Sequence, residues 1–298
     1  MKKAPALRSQ DLVAALDKAV AGDTADLFRQ LEVGSGLPGP RMNLQLAIAF
    51  AHECARYGPK VDPLAYRMAS LSPDEARGAT PKEFLSVCGV LAVGARGMVA
   101  KENAVRDRAL VLLEDKADDF RFRVREAVPL ALAMLGCKMH GALAERLEPW
   151  MDRYFHAAAV ILALAEPTWL ETFAVDDYYA PINLLHAAFF LAHDAPRSAF
   201  RYPGHKALVE ALKVAPKAIG RRFGIPMFDR LQIWAEQVTV PEMREVILAN
   251  LDDPQLKKPF GYEIKRIKQT IEAGKKPPRD PTRIVHGTRG RGKKRGRR

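Results

Sequence analysis

The chain reads as all-α: paired helices fill residues 1–274, and a basic extension follows over residues 275–298. Three observations predict this. Apolar residues recur at helical spacing between Gly, Pro and Asp breakers, strand-forming runs are scarce, and positive charge gathers at one end. With 298 residues, 48% of them hydrophobic, the chain is long enough to bury a large core.

In chain order, the first pair comprises residues 11–31, with Gly22 a candidate break, and residues 42–57, separated by Gly34-Ser35-Gly36-Leu37-Pro38-Gly39-Pro40. Residues 63–71 and 81–96 come next. Ser72-Pro73-Asp74 divides them, and Pro63 and Pro81 sit where a first helical turn accepts a missing amide. Residues 102–116 pair with 121–135, 141–151 with 154–165, and a short 168–173 with 180–193. The last pairs are 205–214 with 217–237, interrupted at Gly224-Ile225-Pro226, and 241–251 with 255–273. Second helices thus recur every 25 to 40 residues or so, in the range of helical repeats. A single pair cannot bury its own apolar face, so neighbours stack, and an α-solenoid of about seven helix pairs is expected.

One segment carries a sharper signal. Asp118-Asp119, followed by Val124-Arg125-Glu126-Ala127-Val128-Pro129-Leu130-Ala131-Leu132-Ala133-Met134-Leu135, resembles a HEAT repeat, whose second helix opens with Val-Arg and continues with Ala-Leu two turns on. Val124, Arg125, Ala131, Leu132 and Leu135 fall on the matching positions. The resemblance, strong only near residues 109–136, implies a right-handed armadillo/HEAT-like superhelix over residues 1–274. It also implies that Asp119 and Arg125 form a ladder between repeats. Val128 stands where alanine is usual, and Pro129 should kink the helix or move its start toward residue 128. Asn43-Leu44, Ala47 and Phe50 recur at the spacing of Asn183-Leu184, Ala187 and Phe190, a second hint of repetition.

Charge points to a partner. The whole chain is +12, and residues 275–298 hold eleven Lys or Arg against one acid, Asp280; before them, 36 bases nearly balance 34 acids. The closing run has no apolar residue to bury and is rich in glycine, so it is expected to be disordered until a polyanion neutralises it. Arg289, Arg291, Lys293, Lys294, Arg295, Arg297 and Arg298 are therefore the expected nucleic-acid ligands, giving sequence-tolerant, salt-sensitive affinity. Arg221 and Arg222 on the body join them, and Lys257, Lys258, Lys265, Arg266 and Lys268 make the last helix pair basic too. Acidic lipid or protein surfaces are the alternative. Membrane adhesion usually adds apolar anchors, and after Ile284 and Val285 the tail has none.

Catalytic signatures are sparse. Cys54, Cys88 and Cys137 lie far apart in apolar stretches, which suits reduced core thiols, and no metal-ligand spacing, phosphate-cradling glycine loop or nucleophile elbow is present. No catalytic residue, metal or cofactor is expected. His186 and His193 lie two turns apart, as core or groove histidines would. Between Trp169 and Tyr202 aromatics are dense around Asp176 and Asp177. Trp169 or Trp234 converging with either carboxylate would resemble the constellation of HEAT-like alkylpurine DNA glycosylases, although no stretch reproduces that family's local motif. If those carboxylates instead cap the following helix, Tyr178 and Tyr179 mark its start. The longest wholly apolar run, residues 157–165, is too short to span a bilayer, and residues 11–20 are amphipathic where a signal core would be apolar. The expectation is a cytoplasmic, non-catalytic HEAT-repeat binding or scaffold protein that reaches nucleic acid through its basic tail and offers its groove to a protein or nucleic-acid partner. A DNA-repair glycosylase and a protein scaffold with an incidental tail are the alternatives.

Overall fold

The computed structural model describes residues 9–274; the seven tail bases Arg289, Arg291, Lys293, Lys294, Arg295, Arg297 and Arg298 lie outside the described residues. Within them every regular element is helical, and no strand occurs among the described residues. α1 (Ser9–Val20) and α2 (Ala25–Gly34) are parted at Gly22, whose φ of +111° few side chains tolerate. α3 (Leu44–Tyr57) starts at Asn43, whose side-chain oxygen accepts the Leu46 N–H at 3.2 Å. α4 (Asp62–Ala69), α5 (Glu83–Val99), α6 (Asn103–Ala117) and α7 (Phe122–Met139) follow. Then come α8 (Gly141–Leu147), α9 (Tyr154–Ala165), the single turn α10 (Pro167–Leu170) and α11 (Tyr179–His193). α12 (Pro203–Leu212), α13 (Ala215–Phe223), α14 (Ile225–Gln237), α15 (Pro241–Leu251), the single turn α16 (Pro254–Lys257) and α17 (Gly261–Ala273) complete the body.

Several expected helices differ; 141–151, for example, is α-helical only to Leu147 and passes into a 3-10 turn, Glu148–Asp152. The segment 255–273 divides into α16 and α17 because Pro259 has no N–H to return to the preceding turn. Conversely α7 does not begin near residue 128; it starts at Phe122 and continues past Pro129 to Met139. A 3-10 turn, Arg197–Arg201, has no counterpart in the sequence reading.

Packing is organised around α5. From Glu83 to Gly97 that helix is buried on every side, as an all-round apolar helix must be. α3 and α4 pack on it from the N-terminal direction and α7 from the other; α7 then meets α9, and α9 meets α11, α12 and α13. Such close approach needs small residues. A Cβ on Gly89 would lie 2.2 Å from the backbone nitrogen of Ala69, so α4 and α5 touch main chain to main chain.

Buried ion pairs lock successive layers. Arg121, only 3% exposed, grips the Asp119 carboxylate with Nε at 2.9 Å and Nη2 at 2.7 Å. Its remaining N–H groups donate to the carbonyls of Leu71 (2.9 Å) and Ala76 (3.1 Å) and to Ser86 Oγ (3.0 Å). Arg123 to Glu83 (3.2 Å) and Arg96 to Asp62 (2.7 Å) add two more ties. The expected Asp119–Arg125 ladder is not formed: Arg125 donates to the main-chain carbonyls of Asp119 and Phe120, because Arg121 already fills the carboxylate. The sequence echo is not structural either. Asn43 caps α3 and Ala47 and Phe50 are buried, whereas Asn183 lies inside α11 and Ala187 is exposed.

Candidate nucleic-acid interface

The C-terminal helices carry an exposed face that combines an aromatic with basic groups. α14 buries Met227, Phe228, Leu231 and Trp234 and packs against both α11 and α17. α17 turns Ile264, Ile267 and Ile271 inward. Its opposite face then carries Tyr262, Lys265, Arg266 and Gln269 at helical spacing, with Tyr262 74% exposed. Lys265 and Lys268 make no ion pair among the described residues, and Lys257 is held by Asp252 at 2.6 Å. The helix leads into the tail, so the basic surface and the basic extension share one end of the chain.

Between α11 and α14 lies a cavity of about 200 Å³. Tyr178, Tyr179 and Ile182 form one side; Asn183, Asp229 and Arg230 supply its polar groups. The two tyrosine rings stack with centroids 4.5 Å apart and planes 26° apart. The hydrogen bond between the two phenols is the main cause that holds the Tyr178 pKa above its ordinary value. Arg230 Nη2 lies 3.5 Å from Asn183 Oδ1, a long contact that a ligand can replace. At the rim Arg266 of α17 reaches Asp229, also at 3.5 Å, which ties the basic helix face to the cavity.

The tryptophans serve the core. Trp234 is fully buried, stacks on Phe189 at 4.2 Å and donates its indole N–H to His186 Nδ1 at 3.1 Å. Burial, and secondarily the Arg230 charge, pushes the His186 pKa down, in keeping with a neutral ring that accepts this bond. Trp169 is equally buried and donates to the His140 carbonyl at 3.1 Å. Asp176 and Asp177 stay exposed at the surface. The Trp–Asp constellation of the glycosylase reading therefore does not assemble, since neither indole has a face open to a base. His193 is held by Asp194 (2.6 Å) and accepts from the Thr239 N–H (3.2 Å), away from the His186 contacts. Among the described residues no three His, Cys, Asp or Glu gather as metal ligands.

Of the body arginines expected to bind nucleic acid, Arg221 pairs with Asp253 and keeps 48% of its side chain exposed. Arg222 turns inward and donates to the Phe173 carbonyl, with its Nε buried, so it does not present its charge as a surface ligand would. Burial pushes the Cys54 and Cys88 thiols well above their ordinary range, which favours the neutral thiol. No helix is long and apolar enough to cross a membrane among the described residues.

A second, apolar cleft of about 160 Å³ is lined by α7 and α9. Arg125, the arginine of the HEAT-like segment, lies over the Phe155 ring there at 4.3 Å. Sequence reasoning missed the tyrosine-walled cavity, although the adjacent Tyr178-Tyr179 with Asn183 one turn on was a local signal for it. The chain has no match among protein families, curated proteins or solved structures.

Proposed function

We propose that this chain is a non-catalytic nucleic-acid-binding protein whose interface is its basic C-terminal end, α17 together with residues 275–298. The observation that carries this is the exposed Tyr262, Lys265, Arg266 and Gln269 face on the helix that leads directly into eleven bases. Cations at that density displace counterions from phosphates, and an exposed aromatic adds stacking. The body is read as a right-handed armadillo/HEAT-like solenoid of degenerate repeats. Supporting this are the serial contacts α3 to α5, α5 to α7 and α7 to α9, with α4 and α6 alongside. Protein scaffolding is the second reading. It is favoured by Phe120 and Phe122, 89% and 47% exposed, the latter lining the apolar cleft.

The test compares the full chain with a chain ending at Gly274 for binding to DNA and RNA across a salt series. The full chain should bind with log K falling linearly in log salt, by about 0.7 to 0.9 per phosphate neutralised. Truncation should remove most of that slope. No binding to either polymer at low salt overturns the proposal.

A further inference from the structure

We infer that the tyrosine-walled cavity between α11 and α14 receives one unpaired base, which makes single-stranded nucleic acid the preferred ligand; this rests on the nucleic-acid reading above. Tyr179 is 65% exposed while its ring is already stacked on Tyr178. A third ring can extend such a stack without first ordering the wall, so the entropy of fixing a lone side chain is not lost on binding. Every base has a π-face, and stacking is therefore tolerant of sequence.

The polar groups suit base edges. Asn183 offers both a donor and an acceptor, Arg230 donates in a fork, and Asp229 accepts; these chemistries match adenine, guanine and cytosine edges respectively. Neither Asn183 nor Arg230 is tied up by anything tighter than their mutual 3.5 Å contact. The cavity lies between helices, and a base inside a duplex would have to leave its stack to enter it. Phosphates have a place as well. Arg266, 43% exposed beside Asp229, puts a cation on the cavity rim, and Lys265 next to it adds a second exposed charge on α17. A strand with one base in the cavity can thus lay its backbone along the basic face.

The experiment measures binding of the full chain to a labelled mixed-sequence single strand and to the matching duplex, with Tyr179→Ala, Tyr179→Phe and Asn183→Ala. Tyr179 and Asn183 are surface residues, so circular dichroism of each variant should match the parent. Expected are tighter binding of the single strand and about a ten-fold or greater loss for Tyr179→Ala on that ligand alone. Tyr179→Phe should keep the affinity because it keeps the ring. The salt slope of Tyr179→Ala should equal the parent's, since no charge is removed. If Tyr179→Ala binds the single strand as the parent does, or loses single strand and duplex alike, the cavity does not take a base while the nucleic-acid reading stands. If the unaltered chain binds neither polymer, both fall together.

Discussion

Arg121 offers the sharpest test of how the layers hold together. Replacing it with alanine removes a guanidinium that satisfies Asp119 and reaches four acceptors on the α4–α5 side, the Leu71, Ser72 and Ala76 carbonyls and Ser86 Oγ. Asp119, whose side chain is 6% exposed, would keep only the main-chain N–H of residue 121 at 2.8 Å and Lys116 Nζ at 3.9 Å. Breaking a buried pair from one side costs about 3 to 5 kcal/mol, because the surviving charge stays buried. Against a total of roughly 5 to 15 kcal/mol, this is a large share. Equilibrium urea unfolding measures it, with an unchanged m-value showing that the same surface unfolds. Arg121→Met should lose nearly as much as Arg121→Ala while keeping the stem's bulk, and Arg121→Lys should recover only part, since a point charge cannot hold carboxylate and carbonyls together. Acid behaviour gives an independent check. Burial alone raises the Asp119 pKa, but the Arg121 hydrogen bonds and charge outweigh it and hold the carboxyl below its ordinary value of 3.8. Unfolded chain then binds more protons than folded chain, so this contribution is present above that value and is lost as pH falls through the folded pKa. A loss below about 1 kcal/mol for Arg121→Ala would refute the argument that a buried, uncompensated charge sets the cost.

Gly89→Ala should destabilise by about 1 to 3 kcal/mol from overpacking, even though alanine gains about 1 kcal/mol in helix propensity. The added Cβ meets the Ala69 backbone at 2.2 Å; Gly261→Ala, with nothing within 4 Å, should be neutral or slightly stabilising in the same thermal melts. Equal behaviour of the two variants would contradict the close α4–α5 contact. Stability should also fall on mild acidification, because burial lowers the pKa of both His186 and His156 from 6.5. Their unfolded forms bind protons first, so stability is full above that pH and declines below it. A Tm unchanged between pH 7.5 and pH 5 would count against this assignment.

Much of the local structure was legible in the sequence. α9 occupies Tyr154–Ala165, the span expected for it, and Gly22 and Gly224 part helices where glycine breaks the pattern. These are decisions of neighbouring residues, made by backbone conformation and by periodicity. The all-α class and the basic end follow from the same short-range information.

Periodicity tells which face of a helix is apolar but not which helix covers it, and every polar partnership across layers depends on that choice. Arg121 and Arg125 are alike in sequence, yet only Arg121 holds the Asp119 carboxylate and reaches carbonyls up to 50 residues back in the chain. Arg221 and Arg222 adjoin, and packing gave one the buried carboxylate of Asp253 and the other a carbonyl 49 residues away. Trp234 looked available for a ligand until Phe189 and His186 of α11 closed over it. The tyrosine-walled cavity exists because α11 and α14, separated by α12 and α13, come to lie side by side. Short-range physics wrote the helices and their charges; burial of one continuous core chose their neighbours, and with them the surface left for a ligand.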